Sequence, residues 1–124
     1  MAAESISASE QAVMEVLWEH DLATVREITT HMYGHHEHSL HAGVKSFLQR
    51  LMDKGFVAAD TEAFAHRFRA TISREEFVGR ELQSMADSFF GGSLRPLLLS
   101  LVENTGLSRK DRASIQAIVE RMKD

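Results

Sequence analysis

A mainly α-helical chain with one small two-stranded β-ribbon is the fold class this sequence predicts, and three observations carry it. Helix-start signatures, a Ser or Thr followed three residues later by Glu, recur at Ser7 with Glu10, Thr24 with Glu27 and Ser73 with Glu76. Each stands ahead of apolar residues at helical spacing. Beyond Gly55 the apolar period shortens to that of extended backbone. The resulting order, with helix, short helix, polar turn, long helix and ribbon followed by more helices, is that of a winged helix-turn-helix with an appended helical segment.

Taken in chain order, Val13, Val16 and Leu17 supply the stripe of a first helix over about residues 9–20. Val25, Ile28 and Met32 define a short second helix that Gly34 stops. A histidine-rich turn at 35–38 leads to Ser39 as the expected cap of the third helix, 39–54, whose buried face is Val44, Phe47, Leu48, Leu51 and Met52. Residues 56–59 and 64–70 are the expected strands of the wing, 56–72, with Phe64, His66 and Phe68 on one side. The turn at 60–63 lacks the glycine a tight hairpin prefers. Phe77, Leu82, Met85, Phe89 and Phe90 mark a fourth helix ended by Gly91 and Gly92. Ser93 starts a fifth that tolerates Pro96 in its first turn, and Ser108 a sixth carrying Ile115, Ile118, Val119 and Met122.

Composition narrows the functions. With 44% apolar and 26% charged residues in 124, a packed core is expected. The absence of cysteine excludes a disulfide, a thiolate metal site and a cysteine nucleophile. No run approaches the roughly 18 apolar residues of a membrane span. Residues 1–10 lack a signal-peptide pattern, so a cytoplasmic protein without membrane association is expected. The net charge of −4 hides an asymmetry: residues 1–37 hold Arg26 alone against seven acidic side chains, whereas 38–72 hold Lys45, Arg50, Lys54, Arg67 and Arg69 against Asp53, Asp60 and Glu62. The candidate surface for a polyanion is therefore the middle of the chain.

If Val44, Phe47, Leu48 and Leu51 face the core, Ala42, Lys45, Ser46 and Gln49 face outward, where a third helix would enter the major groove of double-stranded DNA. Lys45, Ser46 and Gln49 suit base edges or phosphates, Arg67 and Arg69 suit phosphates, and His41 and Arg50 complete the candidate set. Without a DNA partner the same residues are an ordinary solvated face. Three helices over 73–124 do not easily make an independent core. Phe77, Met85, Phe89, Leu94, Leu97, Leu98, Leu101, Ile115, Ile118 and Val119 are accordingly assigned to a homodimer interface. Domains of 1–72 for DNA and 73–124 for dimerisation follow, and two recognition helices related by a twofold axis call for inverted half-sites.

Glu15, Glu19 and Glu27 lie on polar faces without a nucleophile or phosphate loop nearby, so no enzyme and no cofactor is expected. His31 and His35 have the spacing of a helical metal pair, but Gly34 interrupts the helix, and no metal site is assigned. The alternatives are a winged helix that binds protein and a metal-responsive regulator built on the histidines.

Residues 8–18 (ASEQAVMEVLW), 23–28 (ATVREI), 48–55 (LQRLMDKG) and 72–77 (ISREEF) resemble the penicillinase-repressor family, the BlaI/MecI/CopY group, over nearly the whole chain. The resemblance implies a dimeric repressor whose winged helix binds an operator of inverted repeats and whose C-terminal helices pair. The chain departs from that family at Ala42 and Gly43, where members carry Thr, Lys or similar residues. It has no cysteine-rich tail, and it has Ser100 and Leu101 where antibiotic-responsive members are cut between Asn and Phe.

Overall fold

The computed structural model describes residues 5–61 and 66–122. Its elements are α1 (Ala8–Glu19), α2 (Val25–Tyr33), α3 (His38–Asp53), β1 (Val57–Asp60), β2 (Arg67–Ala70), α4 (Arg74–Phe90), α5 (Leu94–Asn104) and α6 (Arg109–Arg121). The first five form a winged helix. Two compact units divide the chain, one of Glu4–Phe77 and one from Val78 onward. The division falls inside α4, five residues beyond the 72/73 boundary expected from the sequence.

The expected capping boxes of α1 and α2 form in full. Ser7 Oγ accepts from the Glu10 backbone N–H (3.1 Å) while the Glu10 carboxylate accepts from Ser7 N–H (3.2 Å). Thr24 and Glu27 make the same reciprocal pair, at 3.1 and 2.9 Å. At α4 the Ser73 hydroxyl accepts from Glu76 N–H at 3.0 Å. Gly34 ends α2 in the left-handed region (φ 81°), which a residue without Cβ enters freely, and its N–H donates to the Thr30 carbonyl.

The start of α3 differs from expectation. Glu37, not Ser39, is its N-cap and makes no side-chain cap, because its carboxylate is engaged by His35 Nε2 at 3.0 Å. Ser93 likewise precedes α5 without a side-chain cap bond. Val57 to Asp60 pair antiparallel with Ala70 to Arg67. Phe56 lies before the strand, its side chain in the core and its N–H on the Leu51 carbonyl. Phe64 and half of the turn fall outside the described residues, and His66 precedes β2 and is exposed. A third element joins the ribbon. Ala23, in the link after α1, exchanges two backbone hydrogen bonds with Phe68, at 3.1 and 2.8 Å.

The core of this unit collects Val13, Met14, Val16 and Leu17 of α1, Ile28 of α2, and Val44, Leu48 and Leu51 of α3. Phe56, Val57, Phe68, Ile72 and Phe77 close it from the wing side. Trp18 clips the end of the wing to α1: its indole N–H donates to the Ile72 carbonyl (2.9 Å), and its ring meets Phe77 on one side and the Arg74 guanidinium on another. Arg74 also pairs with Glu15 at 2.8 Å.

Glu10 is the one buried carboxylate among the described residues. Burial pushes its carboxyl pKa up, but the Lys54 ammonium at 2.8 Å and the Ser7 bonds together hold it below its ordinary value of 4.5. Glu27 is lowered by the Thr24 backbone N–H and hydroxyl, against a smaller effect of burial, and further by the charges of Arg67 and His31. For carboxyls lowered in the fold, the stabilisation is complete above the ordinary value and is lost as pH falls through the folded one. Thermal unfolding followed by circular dichroism should therefore weaken below about pH 4.5. Glu10→Gln should cost about 1.5–3 kcal/mol at neutral pH and flatten that acid limb. An acid limb unchanged in the variant would remove Glu10 as its source.

In the second unit α5 packs on α6, with Leu97, Val102 and Val119 buried and Arg95 Nη1 donating to the Val119 carbonyl at 3.3 Å. Gly91 and Gly92, both at positive φ, turn the chain out of α4, and Gly92 N–H donates to the Ala86 carbonyl.

Candidate nucleic-acid interface

Burial of Val44, Leu48 and Leu51 fixes which face of α3 looks outward. Ala42, Lys45, Ser46, Gln49 and Arg50 are exposed and His41 is half-buried. Gln49 Nε2 donates to Asp53 at 3.0 Å, which lays the amide along the helix. No heavy atom lies within 4 Å of where a Gly43 Cβ would sit, so packing does not demand this glycine. Period-two geometry does the sorting on the wing: Phe68 enters the core and its neighbours Arg67 and Arg69 stay in solvent. Arg67 also acts on Glu27 of α2.

Between α3, the first turn of α2 and the wing lies an open cleft of about 400 Å³ lined by Thr24, Val25, Arg26, His41, Lys45, His66 and Phe68. It brings His41 and Lys45 together with two residues absent from the sequence-derived set, Arg26 and His66. Arg26 stands just after the Thr24 cap, and its signal was being the lone cation of residues 1–37. His66 lies in the basic middle of the chain but was not placed in that set. Cationic and hydrogen-bonding side chains around a cleft beside an exposed helix face suit the sugar-phosphate backbone.

The histidines are dispersed into pairs. His31 stacks on His20 with ring centroids 4.3 Å apart, His35 bonds Glu37, and His36 Nε2 meets His41 Nδ1 at 2.8 Å. Burial, and then the charges of Arg26, His41 and His38, keep the His36 ring below the usual histidine range. Among the described residues no three His, Asp or Glu gather as a metal set.

The sequence profile of the penicillinase repressor family matches residues 6–121. The chain belongs to that family. The penicillinase repressor of Bacillus licheniformis is 24% identical over 119 residues, which are 96% of this chain and 92% of that protein. An uncharacterized 16.5 kDa protein in the ptsI 3′ region of Latilactobacillus sakei is 24% identical over 114 residues, 92% of this chain and 77% of that one. Membership of the penicillinase repressor family makes this a regulatory protein of repressor type. Among the described residues no helix is long and apolar enough to cross a membrane.

The ten residues assigned to a dimer interface in this family member separate by burial. Phe77 is 7% exposed against Trp18 and Phe56, so it belongs to the winged-helix core and leaves the interface set. Leu97 and Val119 are buried within their own unit, while Leu94, Leu98 and Ile115 are half-buried. Met85, Phe89, Leu101 and Ile118 are exposed, Phe89 by 75%. Val78 and Leu82 are exposed too and were missing from the set. With Met85 and Phe89 they repeat at spacings of four, three and four along α4, a seam pattern that the sequence already contained.

Proposed function

We propose that the protein is a homodimeric transcriptional repressor of the cytoplasm that places α3 in the major groove of double-stranded DNA at each of two inverted half-sites. The wing reaches the adjacent backbone. The observation that carries this reading is the convergence of Arg26, His41 and Lys45 on one cleft beside the exposed Lys45, Ser46 and Gln49 of α3, in a chain whose net charge is −4. A merely solvated surface gives no reason for the cations of an acidic protein to collect there. In this reading Lys45, Ser46 and Gln49 face base edges, and His41, Arg50, Arg67 and Arg69 hold phosphates. The α4 seam, with Leu101 and Ile118, meets the second copy, and no catalytic centre or cofactor takes part.

Fluorescence-polarisation titration against the protein's own upstream DNA, and against a random-sequence duplex, tests it. Arg67→Ala removes two phosphate contacts from a dimer, so the slope of log K against log salt should fall by about 2 on both duplexes. Lys45→Ala should cost about 1–3 kcal/mol per half-site on the upstream DNA and less on random sequence if Lys45 reads a base edge. Unchanged affinity and salt slope in both variants would overturn the docking. An equal loss on both duplexes from Lys45→Ala would make that residue an anchor rather than a reader.

A further inference from the structure

His36 contributes to the cleft without lining it. Its Nε2 shares a hydrogen bond of 2.8 Å with His41 Nδ1, the two rings standing edge to face at 88°. The nitrogens of an imidazole lie on opposite edges of the ring, so a His41 held through Nδ1 presents Nε2 on its other side. His41 lines the cleft with Arg26 of α2, Lys45 of α3 and His66 of the wing, and its Nε2 makes no hydrogen bond among the described residues. We propose that His36 is a positioning residue for backbone contact: it accepts from a protonated His41, which donates its Nε2–H to a DNA phosphate, so that DNA binding takes up a proton. This rests on the DNA-binding reading above.

The charges decide which ring carries the proton. Burial first, and then the charges of Arg26 on α2 and of His41 and His38 on α3, disfavour a charged His36, which suits it to the accepting side of the pair. The cationic Arg26 and Lys45 stand with His66 and His41 around the cleft, so positive charge gathers there before any ligand enters. A phosphate entering among these groups reverses the balance, because it favours the imidazolium it touches. The sign follows: the bound form holds the proton more tightly than the free form, so affinity rises as pH falls through the histidine range. Neutral His36 is needed for this, since a ring that lost its acceptor would have one donor aimed at nothing.

The test uses the full chain and a fluorescently labelled random-sequence duplex at low salt, which reads backbone contacts alone. Between about pH 8 and pH 6 wild-type affinity should rise by about three- to tenfold per contacting subunit. His36→Phe should abolish most of that gain. His36→Gln, whose carbonyl still accepts from Nδ1, should keep it, as should His20→Gln away from the cleft. Nitrogen chemical shifts of the wild-type protein bound to the duplex supply a measurement independent of any variant, and should show a doubly protonated His41 beside a neutral His36. A pH-independent wild type, a His36→Phe variant with the full pH gain, or a neutral His41 in the complex would each overturn the inference while leaving DNA binding intact. Failure of the wild type to bind the duplex at any of these pH values would overturn the DNA reading and this inference with it.

Discussion

Replacing Met85 and Phe89 together with aspartate is expected to give a monomer at low micromolar concentration and to weaken binding to the protein's own upstream DNA by at least about 100-fold. Phe89 is 75% and Met85 48% exposed in the single chain, so the fold of one copy loses little apolar contact when they change. Their seam with Val78 and Leu82 is the continuous apolar face a second copy would cover, and a carboxylate buried there without a partner costs several kcal/mol. The DNA effect follows from tethering. Two half-sites held by one dimer gain about 10²–10⁴ over a single contact through effective concentration, and a monomer forfeits that factor. Analytical ultracentrifugation and the polarisation titration measure the two effects on the same sample. A variant that still sediments as a dimer would move the proposed interface elsewhere on the second unit.

Leu48→Ala has the largest effect expected on stability. Leu48 is 1% exposed at the middle of α3, within the cluster that joins α1, α2 and the wing. Truncating a leucine at such a site removes its transfer free energy and leaves a cavity that the close-packed neighbours fill only in part, about 2–5 kcal/mol. That is a large share of the roughly 5–15 kcal/mol of a typical domain. Denaturant titration should show the loss, and a change below about 1 kcal/mol would mean that the packing around α3 adapts. The variant also separates fold from contact. Lys45, three residues earlier on the exposed face, should lower DNA affinity when replaced by alanine while leaving the unfolding midpoint nearly unchanged.

Much of the interface was legible because α3 is amphipathic. Once Val44, Leu48 and Leu51 are recognised as the buried stripe, the helical period alone turns Lys45, Ser46 and Gln49 to the other side. Strand alternation did the same for Arg67 and Arg69 about Phe68. Arg26 and His66 were not legible in this way, since each reaches the cleft through the packing of a different segment, and His36 acts on it only through His41. The exposed α4 seam was only partly read: Met85 and Phe89 were assigned to the interface, while Leu82 was taken only as part of the helix pattern and Val78 was not picked out.

Local signals in the sequence determined the helices, their capping boxes, the position of the ribbon and the basic middle of an acidic chain, because each depends on residues within one or two turns of one another. Tertiary structure decided what those signals could not reach. Phe77 carries the same apolar character as Phe89, yet one is sealed against Trp18 and Phe56 and the other stands in solvent. Hydrophobicity states that a side chain gains by burial, but not against which surface. Ala23 joins the wing through two backbone hydrogen bonds that no side-chain pattern announces. The histidines that look like one cluster along the chain separate in space, because His31 stacks on His20, His35 turns to Glu37 and His36 meets His41.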